Sequence, residues 1–280
     1  MNYLIPALIS SFKLICLFLI FPVLAGYPMH FVSAKLNSLS MKFIKKSFLF
    51  SIIKWPGTIV HELSHAIAGL LSLRQIKEIL FCDNNPHLED GGYTLGYIRF
   101  KFNPANTFQK VGCLLIGASP ILAGVYLFKL LFEKTFNNTV TPDQSLLNGQ
   151  FEFSVSFFES SLVIISQTCI DGLQLLINPQ NILNPYFYIF IICTFLLSVS
   201  VDLSKNDINI LKTGIQPTVF IIIATILVVH WFYPIGDVLI HKIWLLCFSF
   251  YLQLIFTALV MALVGIIVVA LLRISPFAKD

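Results

Sequence analysis

Residues 243–272 contain no Asp, Glu, Lys or Arg, whereas ~20 apolar residues in a helix already cross the ~30 Å hydrocarbon core of a bilayer. A run of that length has room to tilt or to overrun the core. Other long apolar stretches occupy about residues 4–25, 111–132, 186–201 and 217–235. In hydrocarbon no water satisfies backbone N–H and C=O groups, so such runs must be helices or strands of a closed barrel. Continuous apolarity, without period-two alternation, selects helices. Composition agrees: 57% of the residues are hydrophobic and 11% charged, against ~25% charged in an average soluble domain. The mean hydropathy is +0.84. The expectation is an all-α polytopic membrane protein with residues 1–280 forming one membrane-embedded domain.

Two further segments set the span count at six or seven. The helix over about 56–73 adds one, and 157–177 adds a weaker one, interrupted by Glu159, Gln167, Asp171 and Gln174. Small residues at Leu24-Ala25-Gly26 imitate a signal-peptide cleavage site, but Met1-Asn2-Tyr3 carries no basic head, so an uncleaved first span is expected. With seven spans, Lys35, Lys42, Lys45, Lys46, Lys129, Lys134, Lys205 and Lys212 share one side with the C-terminus. The positive-inside bias makes that side cytoplasmic. The formal net charge of +4 reflects these loop lysines. No interleaving of basic and aromatic residues of the single-strand-binding kind accompanies them, and no nucleic-acid partner is expected. Six cysteines without CxxC spacing read as small core residues.

Within the run Trp55–Leu71 stands His61-Glu62-Leu63-Ser64-His65, an HExxH motif. A helix turns ~100° per residue, so positions four apart return to within ~40° of each other. Both imidazoles can therefore reach one metal ion. Glu62 projects beside them, where it can take a proton from a metal-polarised water without being a ligand. Ionisable groups in a lipid-embedded helix are expensive, at ~2.5–3.5 kcal/mol for a central charge on insertion scales. A bound Zn2+ compensates directly, because neutral imidazoles donate to the cation and its field holds the carboxylate. Pro56 suits a first helical turn, which starts the helix there and sets His61 ~8 Å in. The stripe Gly57, His61, His65, Ala68, Ser72 is small apart from the histidines and invites close packing of a second helix.

From about 74 to 110 the character changes. Polar turns around Asp83-Asn84-Asn85-Pro86 and Glu89-Asp90-Gly91-Gly92 precede the alternating stretch Tyr93–Phe102, which suggests a short β-hairpin inserted after the motif helix. That hairpin is either an ordinary interfacial element or an edge that holds an extended peptide by β-addition. His87 reads as a surface residue.

The segment Gly57–Ala66, the Gly-rich hairpin, and Gly117-Ala118-Ser119-Pro120-Ile121-Leu122 in the next span together resemble the site-2 protease class of intramembrane zinc metallopeptidases. More narrowly, they are similar to a small prokaryotic branch of that class. The likeness covers roughly residues 55–125 and a later segment around 198–214. It implies a multi-pass protein of a prokaryotic cytoplasmic membrane that cleaves membrane proteins or transmembrane peptides. It also implies zinc held by two histidines and a distant aspartate, with the motif glutamate as base. The class's usual Asp-Gly-Gly after a leucine is absent, and three aspartates compete for the third ligand. Asp207, in Ser204-Lys205-Asn206-Asp207, is similar to the Ser-x-x-Asp segment of the narrower branch; Asp202 lies five residues earlier, and Asp171 sits in Asp171-Gly172. Asp207 and Asp202 lie on the side from which the motif helix enters, whereas Asp171 is ~20 Å along its span. The assignment is His61, His65 and Asp207 on zinc with Glu62 catalytic. The alternative is a non-proteolytic zinc-binding membrane scaffold or regulator.

Overall fold

The computed structural model describes residues 4–43, 48–81, 87–89, 92–94, 96–137, 155–199, 201, 203–232 and 237–274. Over these the chain is mostly helical. Helix α1 (Leu4–Ile15) passes through a π-helical turn at Cys16–Ile20 into α2 (Phe21–Phe43), so the helical backbone continues well beyond residue 25. Helix α3 (Phe48–Leu71) carries the HExxH motif. It begins before Pro56, contrary to the expected start. Pro56 forfeits one i→i−4 bond, but the apolar residues ahead of it gain more by keeping their backbone paired. His61 therefore lies thirteen residues, about 20 Å, from the first residue of α3.

Helix α3 closes in a Schellman turn. The Arg74 N–H donates to the Gly69 carbonyl and the Leu73 N–H to that of Leu70, both at 2.9 Å. Leu73 takes the left-handed conformation at φ 55°, where glycine is usual. Next come β1 (Gln75–Leu80), β2 (His87–Glu89), β3 (Gly92–Thr94) and β4 (Tyr97–Lys101). They form two nested antiparallel ribbons, β1 with β4 and β2 with β3, in which Gln75 faces Lys101 and His87 faces Thr94. The expected hairpin is present, but the alternating stretch is split, and its second half pairs with β1. Strand β1 also alternates only weakly, with most residues exposed, which explains why the sequence hid it.

The remaining helices are α4 (Thr107–Phe136), α5 (Val155–Ile177), the short α6 (Pro179–Ile182), α7 (Pro185–Ser198), α8 (Lys205–Phe232) and α9 (Asp237–Ile274). Asparagines cap three of them: Asn106, Asn178 and Asn184 each accept a backbone N–H at the starts of α4, α6 and α7. Helix α8 starts at Lys205, twelve residues before the expected span, and keeps Pro217 inside it. Among the described residues three helices are long and apolar enough to cross a membrane, at Thr107–Phe136, Lys205–Val229 and Ser249–Leu271. This is the architecture of a membrane protein. The five described cysteines are free thiols.

Helix α4 is central and packs on α3, α7, α8 and α9. On one side Phe128 and Phe132 meet Phe190 of α7 and Phe256 of α9; the Phe132 and Phe256 rings cross at 86° with centroids 5.5 Å apart, the favoured edge-to-face arrangement. On the other side the helices touch backbone to backbone. A Cβ on Gly117 would lie 2.7 Å from the Asp207 carbonyl oxygen and 2.6 Å from Leu211 Cβ, and a Cβ on Gly214 would collide with the backbone of Leu114. Glycine is thus required for α8 to lie this close. Gly117→Ala is expected to force the helices apart, costing about 1–3 kcal/mol as overpacking does, and to lower the thermal midpoint in detergent. Wild-type stability in that variant would contradict the close approach.

Candidate metal centre

Helices α3, α4 and α8 meet at one buried point. His61 and His65 project from successive turns of α3, with ring centroids 4.8 Å apart and Nε2 atoms 3.1 Å apart. Asp207 comes from the first turn of α8: Oδ1 lies 3.0 Å from His65 Nε2 and Oδ2 3.4 Å from His61 Nε2. One ligand atom from each residue falls within 4.8 Å of the others, a group able to hold a metal ion. His65 and Asp207 are 6% and 4% exposed, and His61 is partly buried.

The start of α8 explains why Asp207 stays in place. Its Oδ2 accepts the Ser204 backbone N–H at 2.8 Å, and the Asp207 N–H donates to Ser204 Oγ at 3.0 Å. This is a capping box with Asp in the glutamate's place. The carboxylate also sits at the positive end of the helix dipole.

His65 is aimed by α4. Its Nδ1 lies 2.9 Å from the Ile116 carbonyl oxygen, which only accepts, so Nδ1 bears the proton and Nε2 turns a lone pair toward Asp207. That carbonyl is available because the residue four further on, whose N–H would normally bind it, is Pro120, inside α4. Ser119 Oγ donates to the same carbonyl at 2.8 Å, lies 3.1 Å from His65 Nδ1 and receives Ser64 Oγ at 3.3 Å. The segment Gly117-Ala118-Ser119-Pro120 therefore works as one unit: Gly117 admits the Asp207 turn, Ser119 braces the His65 ring, and Pro120 frees the carbonyl that sets its tautomer.

The geometry suits a cation. An imidazole lone pair facing a carboxylate oxygen at 3.0 Å is repulsive unless a proton or metal ion lies between them. Three ligand atoms ~2.0–2.1 Å from a tetrahedral ion stand about 3.3 Å apart. The two Nε2 atoms, 3.1 Å apart, stand near that value, and the carboxylate reaches both rings through different oxygens, Oδ1 at 3.0 Å from His65 and Oδ2 at 3.4 Å from His61.

Glu62 is 7% exposed and within electrostatic reach of His61, His65 and Asp207. Above it lies the β1–β4 ribbon. A Cβ on Gly96 would stand 2.9 Å from Glu62 Cγ and 2.8 Å from the carbonyl oxygens of Leu80 and Phe81, so the strand can close over Glu62 only with glycine there. Of the competing aspartates, Asp171 is exposed on α5 and accepts from Gln167 Nε2 at 2.9 Å, away from the centre. Asp202 lies outside the described residues. The supporting roles of Ser64, Ser119, Ser204 and Gly96 are not visible in the sequence; only the proline inside an apolar helix and the Ser-x-x-Asp pattern offered a signal.

The chain matches no family model, no curated protein and no solved structure.

Pro120→Ala is expected to return a helical N–H to the Ile116 carbonyl and to loosen His65. Supports of this kind are worth about 10–100-fold in metal affinity, and Ser119→Ala is expected to cost about tenfold. Titration of the purified protein with zinc reads both. Affinities equal to wild type would show that α4 does not orient the ring.

Proposed function

We propose that this chain is an intramembrane zinc metallopeptidase of the site-2 protease class, a multi-pass protein of six or seven spans in a prokaryotic cytoplasmic membrane. Its substrates would be membrane proteins or transmembrane peptides. The observation that carries the reading is the convergence of His61, His65 and Asp207 within 4.8 Å, with Glu62 buried beside them in an apolar helix. Two imidazoles and a carboxylate suit zinc, whereas calcium and magnesium take oxygen ligands. Zinc, when bound, supplies Lewis acidity toward a water and a scissile carbonyl.

The side chains divide the rest of the work. His65, fixed by Ile116 and Ser119, presents its Nε2 lone pair, and Asp207, fixed by Ser204, supplies the negative charge of the donor set. Glu62 is not tied up as a ligand. It accepts the proton of the attacking water and returns it to the leaving amine. The β1–β4 ribbon adjoins Glu62 through Gly96, which supports an extended peptide strand being held there by β-addition.

The test is metal analysis together with cleavage of a model transmembrane peptide. Wild type is expected to bind zinc and cleave. His65→Ala should lose both. Glu62→Gln should keep the metal and lose turnover by about 10²–10⁴-fold, the contribution of a general base. Undiminished activity in Glu62→Gln would refute the role given to that residue, and zinc without cleavage in wild type would favour a non-proteolytic scaffold.

A further inference from the structure

Arg74, at the turn where α3 leaves its Schellman motif, is only 6% exposed. Both hydrogen bonds of its side chain come from Nη2, at 2.8 Å to the Gln109 carbonyl and 2.7 Å to Cys113 Sγ. The Phe102 ring covers the guanidinium at 4.4 Å, and Nε is enclosed without a partner. Among the described residues no carboxylate pairs with it. Residues 96–132 contain neither Asp nor Glu, and Glu78, four residues along on β1, is taken up by Arg99 and Tyr97. The neighbours are cations instead: Lys101 faces Gln75 across the ribbon, and Lys110 follows Gln109. The first turn of α4 adds the positive end of its dipole.

A guanidinium withdrawn from water among like charges is costly and calls for a counter-charge. The surroundings say where it comes from. Leu71, Leu73, Phe102 and Phe108 are exposed around the same turn, where the candidate span beginning at Thr107 enters the membrane. Apolar side chains beside a cluster of cations at the mouth of a span fit the boundary between acyl chains and headgroups. We infer that Arg74, with Lys101 and Lys110 at its rim, forms a binding site for a phosphate monoanion of the kind carried by acidic phospholipid headgroups. An unesterified phosphodiester oxygen would take Nη1, the guanidinium nitrogen that is neither bonded nor enclosed. The lysines attract it and the leucines and phenylalanines meet its acyl chains. This site is separate from the metal centre and does not depend on the proteolytic reading.

The full-length protein would be reconstituted into vesicles of phosphatidylcholine with and without phosphatidylglycerol, and the lipid retained after mild detergent extraction counted per chain by mass spectrometry. Wild type is expected to retain phosphatidylglycerol in preference to phosphatidylcholine. Arg74→Gln should retain about tenfold less, the worth of one charged hydrogen bond, whereas Lys129→Gln, further along α4, should behave as wild type. Displacement of the lipid by inorganic phosphate would assign the same site to a soluble anion. If Arg74→Gln fails to fold, the double variant Lys101→Gln/Lys110→Gln is read instead and should show a reduced preference. No preference in wild type, or unchanged retention in Arg74→Gln or in the double variant, overturns the proposal.

Discussion

Two imidazole nitrogens and a carboxylate face one another in the wedge between α3, α4 and α8, and the closest pair, His65 with Asp207, meets lone pair to lone pair. His65 commits its proton to the Ile116 carbonyl, which leaves Nε2 pointing at a carboxylate oxygen 3.0 Å away. A positive charge at that point is the cheapest remedy, and the rest of the local structure holds the donors where they need it. Gly117 lets the backbone of α8 approach, Pro120 releases the carbonyl, and the Ser204–Asp207 box holds the acid at a helix start.

The helices that frame the centre use the means open to a protein in an apolar medium. Lipid tails give no hydrophobic drive for helix association, so packing density and small residues carry the load. The phenylalanine cluster at α4, α7 and α9 supplies the first, and the glycines at α4 and α8 the second. Burial then acts on the centre itself. With His65 and Asp207 buried, a misplaced ring or carboxylate has little to compensate it, which is why so many hydrogen bonds converge on them.

Much of this was legible in the residues. The apolar runs announced helices, and the i, i+4 spacing of His61 and His65 alone put both rings on one face. Other features were hidden because their causes are not local. Pro56 looks like a helix start, yet the apolar residues ahead of it keep the helix going. Strand β1 alternates only weakly because most of its residues are exposed, and its partner β4 lies beyond the inner ribbon. Ser119 looks like one more small residue in a span, and only the approach of α3 shows that it braces a histidine ring.

The linear chain by itself determined the membrane class, the helical elements, the pairing of two histidines and the carboxylate between them, since these follow from hydropathy and from a period of 3.6 residues. It left three aspartates in contention for the same place. Only the tertiary structure brought Asp207 to the histidines and left Asp171 exposed on α5, because a ligand more than a hundred residues away is chosen by how two helices pack, and that packing rests on glycines whose partners no local pattern reveals.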